Sequence, residues 1–112
     1  MAITTPITTI DAGANVATLI NQFTVRPQQQ REFVDMLIHA TEELIQHQPG
    51  YVAANIHASK DGTRVVNYAQ WESAESWQSM LADPDCRKHL SAVAGVAEAD
   101  PHIYTVERVH HR

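Results

Sequence analysis

Two runs of β-forming residues flank the dipeptide Asp61-Gly62: residues 51–58, YVAANIHA, and residues 64–72, RVVNYAQWE. Asp-Gly is the dipeptide that supplies the positive-φ positions of a tight hairpin turn. The two runs are therefore expected to be antiparallel neighbours. An isolated hairpin is marginal in water, so the rest of the chain must cover at least one of its faces. Side chains alternate along a strand, and a two-residue turn at Asp61-Gly62 fixes which ones meet. Ile56 then stands opposite Asn67, and Val52 opposite Trp71.

The remaining segments supply the cover. Residues 16–25, VATLINQFTV, read as a strand that Arg26-Pro27 ends, because proline has no ladder donor. From about Gln28 to Gln48 the apolar positions Phe33, Val34, Leu37, Ile38, Leu44 and Ile45 recur at helical spacing, and Pro49-Gly50 stops the run. Ser73 is a cap for a second helix over 74–82, whose buried side is Trp77, Met80 and Leu81. Asp83-Pro84-Asp85 reads as another helix start, running to Ala94 and ending at Gly95. Residues 102–109, HIYTVERV, make a last strand. The order β-α-β-β-α-β predicts an α+β fold of ferredoxin-like plan. At 112 residues the chain holds one core. Residues 1–15 are read as a flexible N-terminal arm and 16–112 as the single domain.

The faces carry the functional signal. On the first strand Leu19, Asn21, Phe23 and Val25 share a face; on the third, Val65, Asn67, Ala69 and Trp71 share one. That face of the hairpin is otherwise apolar, with Val52, Ala54, Ile56 and Ala58, and the helices should cover it. Asn21 and Asn67 would then point into apolar space. A buried carboxamide without a partner costs about 1–3 kcal/mol. One such asparagine is ordinarily satisfied by backbone or buried water. Two on one face beside Trp71 point instead to a ligand cavity between sheet and helices. Phe33 and Leu37 from the first helix, and Trp77 and Met80 from the second, are expected to line it.

The opposite face holds Thr18, Ile20, Gln22, Asn55, His57, Val66 and Tyr68. It is too apolar for a bare sheet, and a homodimer packed on this face is expected.

Other function classes are disfavoured. Eight basic against thirteen acidic residues give a formal charge of −5, a poor match to nucleic acid or an anionic membrane. No apolar run approaches the ~20 residues of a membrane span, and residues 1–15 lack the charge and apolar core of a secretory signal. A cytoplasmic location is the expectation. The single cysteine, Cys86, forms no internal disulfide and reads as a packed thiol. His39, Glu43 and His47 recur at helical spacing, but opposite the apolar stripe, and are read as a solvated face. His110 and His111 are likewise read as solvated. There is no dinucleotide fingerprint, P-loop or nucleophile elbow, and no metal or cofactor is expected.

The run Val65-Val66-Asn67-Tyr68-Ala69-Gln70-Trp71-Glu72-Ser73, preceded by residues 57–63, HASKDGT, and by Pro49-Gly50, resembles the antibiotic biosynthesis monooxygenase family. Within it the chain is most similar to the cofactor-independent monooxygenases of aromatic polyketide pathways. The resemblance spans residues 16–109. It implies a dimeric α/β barrel with one cavity per subunit. It also implies oxidation of an anthrone-type ring to a quinone by O2 through a substrate carbanion, on a polycyclic aromatic polyketide. Carried over by position, it implicates Asn21, Asn67 and Trp71 as catalytic, the three that the faces select. It adds Arg87, in the helix after Asp83-Pro84, to the substrate contacts. Where some relatives place a tyrosine on the helix after the third strand, this chain has Trp77. Two alternatives stand beside this reading. One is a haem-degrading monooxygenase of the same fold, using Asn21, Trp71 and His89. The other is a non-catalytic ligand-binding dimer.

Overall fold

A computed structural model describes residues 5–112. Its elements are β1 (Ala17–Thr24), α1 (Gln30–Glu43), β2 (Tyr51–Ala58), β3 (Arg64–Trp71), α2 (Ala74–Ala82), α3 (Pro84–Ala94) and β4 (Glu98–Tyr104), with 3-10 turns at Pro27–Gln29 and Ile45–His47. The strands form one antiparallel sheet in the order β2-β3-β1-β4. This is the expected ferredoxin-like plan, with the helices covering one face.

The hairpin holds the expected register, Ile56 opposite Asn67, by a different loop. Within this loop only Gly62 takes a positive φ, +82°. Asp61 works through its side chain: Oδ1 accepts from Thr63 N (3.0 Å), Thr63 Oγ1 (2.7 Å) and Ser59 Oγ (2.8 Å). The loop is longer by one residue on each side, so the pairing is unchanged. The Gln30 amide, at the start of α1, donates to Ser59 O (2.9 Å) and Arg64 O (3.0 Å), tying helix to hairpin.

These donors hold the Asp61 carboxyl down at about 2, with the Thr63 hydroxyl the largest cause. A depressed carboxylate stabilises the fold above its unfolded value, near 3.8, and loses that contribution as pH falls towards 2. An Asp61→Ala variant is therefore expected to melt below the wild type at pH 7. The gap should close between pH 4 and pH 2 in thermal melts followed by circular dichroism.

Three boundaries differ from the sequence reading. A bulge between Tyr51 and Ala53 puts Tyr51, not Val52, opposite Trp71, and Val52 is exposed. The first helix ends at Glu43, because Leu44 leaves helical geometry (φ −134°) and the chain continues as a 3-10 turn. Gly50 then takes φ +85°, where a Cβ would overlap Ser76 of α2, so only glycine lets β2 start there. The last strand begins at Glu98 and ends at Tyr104, four to five residues earlier than expected. It pairs with β1 alone, and an edge position tolerates Pro101. Both helix caps form: Ser73 Oγ accepts from Ser76 N and Asp83 Oδ2 from Cys86 N, each at 3.1 Å.

On the outer sheet face, Thr8 Oγ1 donates to Asn55 Oδ1 (2.9 Å) and Gln70 Nε2 donates to Thr9 O (2.9 Å). Part of the N-terminal segment thus lies over the β2–β3 side of that face, where Gln70 is buried. No helix among the described residues is long and apolar enough to cross a membrane.

Candidate functional site

The buried side chains fall into two clusters. One holds Phe23, Val25, Phe33, Val34, Leu37, Val65, Val93 and Ala97; the other holds Leu19, Ala69, Trp71, Met80 and Cys86. Along β1 the order is Leu19, Asn21, Phe23; along β3 it is Val65, Asn67, Ala69. Each asparagine therefore sits at the seam between the clusters. Asn21 and Asn67 are direct cross-strand partners, flanked by Ile56 on β2 and Pro101 on β4. A polar pair across an otherwise apolar face interrupts its packing, and a cavity of about 330 Å³ lies over it. That volume is within the range of small-molecule sites.

The floor of the cavity is Leu19, Asn21, Phe23, Asn67, Ala69 and Trp71. Leu37 and Thr41 of α1 form one wall; Trp77, Met80 and Leu81 of α2, and His89, Leu90, Val93 and Ala94 of α3, form another. Tyr51 and Ala54 close the β2 side, and Ala99 and Pro101 the β4 side.

The two carboxamides are held differently. Asn21 Oδ1 accepts from Asp100 N at 3.2 Å. A backbone N–H can only donate, so this bond fixes which end of the Asn21 side chain is oxygen. Asn67 Oδ1 is sealed from solvent and has no hydrogen-bond partner among the described residues. Trp71 is 2% exposed, and its ring meets Tyr51 edge to face at a centroid distance of 5.7 Å. Burial pushes the Tyr51 phenol up, keeping it protonated. Burial also lowers the His89 imidazole, keeping it neutral near pH 7.

Of the residues singled out from the sequence, Asn21, Asn67, Trp71, Leu37, Trp77 and Met80 share this cavity. Phe33 does not line it: it is wholly buried behind Phe23, ring centroids 4.9 Å apart. Arg87 is exposed and off the wall. His57 is exposed on the outer sheet face. Cys86 is fully buried, and burial with the Asp83 carboxylate pushes its thiol up to about 11. It is a packed thiol, as read. The sequence reading missed Tyr51, which the β2 bulge brings in, and the α3 wall. That wall was legible: His89, Leu90, Val93 and Ala94 follow helical spacing on the same side as the buried Cys86.

Comparison with known proteins bears on the same segment. The antibiotic biosynthesis monooxygenase family profile matches residues 17–92. The chain is 44% identical over 93 residues to tetracenomycin-F1 monooxygenase of Streptomyces glaucescens, covering 83% of each. Among solved structures, it resembles the ActVA-Orf6 monooxygenase of Streptomyces coelicolor in complex with nanaomycin D, at 29% identity and a TM-score of 0.77. That match covers 86% of this chain and 91% of that one. It shares its fold with SnoaB, a cofactor-independent oxygenase from Streptomyces nogalater, at 23% identity and a TM-score of 0.77, over 86% and 97% of the two chains.

Proposed function

Because this chain belongs to the antibiotic biosynthesis monooxygenase family and is a monooxygenase, we propose that it oxidises an anthrone-type aromatic polyketide intermediate to a quinone with O2 and no cofactor. The observation that carries this reading is the Asn21–Asn67 pair on the floor of an apolar cavity, with Asn67 Oδ1 buried and without a partner among the described residues. A buried amide left unsatisfied costs about 1–3 kcal/mol, and a hydroxylated aromatic ketone supplies the missing partner. The relatives named above act in the same chemical territory, a tetracenomycin in one case and bound nanaomycin D in the other.

The substrate does most of the chemistry. An anthrone methylene is acidic because its carbanion spreads over the fused rings and carbonyl. That anion gives one electron to triplet O2, and the resulting radical and superoxide combine to a peroxide. Breaking the O–O bond leaves one oxygen atom in the new carbonyl and the other in water, which carries away the two methylene hydrogens. The protein must favour the anion and exclude bulk water.

Asn21, with its oxygen held by Asp100 N, keeps its amide nitrogen to donate to the developing oxyanion. Asn67 Oδ1, an acceptor without a partner among the described residues, takes a hydrogen bond from an adjacent ring hydroxyl. A preorganised donor such as the Asn21 amide is effective because it needs no reorganisation as charge develops. Trp71 orients the rings from the floor, and Leu37, Trp77 and Met80 contact their apolar surface.

A homodimer fits the same reading. The N-terminal segment covers only the β2–β3 side of the outer face, while Tyr104 on β4 remains exposed and Ile20 half-buried.

The test is oxygen consumption with a dithranol-type anthrone in metal-free, flavin-free buffer. One O2 consumed per quinone formed, well above the uncatalysed rate, is expected; uptake no faster than autoxidation overturns the reading. Adding haem and recording the Soret region separates the haem-degrading alternative.

A further inference from the structure

We propose that His89 is the base that removes the methylene proton from the bound aromatic, a role that rests on the monooxygenase reading above. A carbanion route needs a proton acceptor, and the floor offers none: amides and an indole are not bases at neutral pH. Among the described residues lining the cavity, only two side chains titrate, Tyr51 and His89. No carboxylate or amine faces His89 across it; β1, β3, β4, α1 and α2 present neutral side chains, and β2 presents Tyr51. The Tyr51 phenol is kept protonated by burial, so it can donate a proton but not accept one. His89 projects from α3, on the wall facing the sheet that carries Asn21 and Asn67. A ring spanning the cavity would thus have its oxygens at the amides and one flank at the imidazole. Burial favours the neutral form of His89, the form with a free nitrogen lone pair.

The step balances as follows. The substrate C–H bond breaks, an N–H bond forms on the imidazole, and the electron pair stays on the ring and its carbonyl oxygen. After O2 has added, the imidazolium returns its proton to the distal peroxide oxygen. When the second methylene proton leaves to the imidazole, the O–O bond breaks and hydroxide departs. That hydroxide takes the proton from His89 to become water, and the imidazole is neutral again.

The experiment measures oxygen uptake with dithranol across pH for the wild type, His89→Ala and the closer-sized His89→Gln, each checked for folding by circular dichroism. Wild-type kcat/KM is expected to fall as pH drops below 6.5, because the group that must be unprotonated titrates there or lower. Both variants are expected to lose turnover by about 10²–10⁴-fold and to lose that acidic limb. Added imidazole should restore part of the His89→Ala rate. An active wild type without an acidic limb overturns the role of His89 with no variant needed. A folded variant that keeps wild-type turnover and its limb does so as well. In both cases the monooxygenase reading stands. A wild type that consumes no oxygen above autoxidation overturns both readings.

Discussion

Replacing Asn67 with leucine is expected to lower turnover on an anthrone by about 10²–10³-fold while raising thermal stability. The two effects come from one side chain. Asn67 Oδ1 is sealed from solvent without a partner among the described residues, so the folded chain carries an uncompensated desolvation cost of about 1–3 kcal/mol. Leucine has the same branched outline without a polar atom, its extra bulk has the cavity above it to enter, and it joins two apolar clusters that already meet at this seam. A gain of one kcal/mol raises the melting temperature of a domain this size by roughly 4 °C. The loss of rate is that expected for removing one of the two amides proposed to hold the oxygens of the reacting ring. Opposite signs distinguish this account from a structural one, because an asparagine kept for packing would lose stability on replacement. Differential scanning fluorimetry and oxygen uptake on the same preparation check both. Unchanged turnover would remove Asn67 from the chemistry, and a lowered melting temperature would show that its amide is satisfied after all.

The fold was legible because each local signal agreed with its neighbours. Pro27, the Pro49-Gly50 pair, Ser73 and the Asp83-Pro84 start marked the element ends, and alternation on two strands put Asn21 and Asn67 on one face. Register survived an error about the turn, since Asp61 uses its side chain where a positive φ was expected, and the loop kept its symmetry. The misses were tertiary in origin. The β2 bulge that substitutes Tyr51 for Val52 has no signal in a run as uniform as YVAANIHA. An edge strand such as β4 takes its limits from pairing with β1 rather than from its own pattern, and it runs through Pro101 to start at Glu98. Phe33 shows the limit of helix-face reasoning, and Arg87 the limit of carrying a position over from a resemblance. A residue on the correct stripe can be screened from the cavity by another, as Phe33 is by Phe23. A residue one position off the stripe points to solvent, as Arg87 does beside Cys86. His89, three positions beyond Cys86, was on the stripe, yet it entered only through the haem-degrading alternative because the short helix was read for its ends and not for its inner face.

Trp71→Ala should be the most damaging single substitution in the site, and its damage should be mostly to the fold. The indole is 2% exposed, packs with Leu19, Ala69 and Met80, and meets Tyr51 edge to face. Truncating a tryptophan so placed costs about 3–5 kcal/mol, through lost burial and the void left behind. A domain of this kind is stable by only about 5–15 kcal/mol, so the variant should melt tens of degrees lower or fail to accumulate. Loss of activity in such a protein says nothing of chemistry. Trp71→Phe separates the two roles, because phenylalanine keeps an aromatic ring against Tyr51 and Met80 but removes the indole N–H and part of the cavity floor. A Trp71→Phe protein that melts within a few degrees of wild type, yet turns over anthrone markedly more slowly, would make the indole a contact of the reacting molecule. Wild-type kcat and KM in the phenylalanine variant would reduce Trp71 to scaffolding and leave the two asparagines as the polar contacts on the floor.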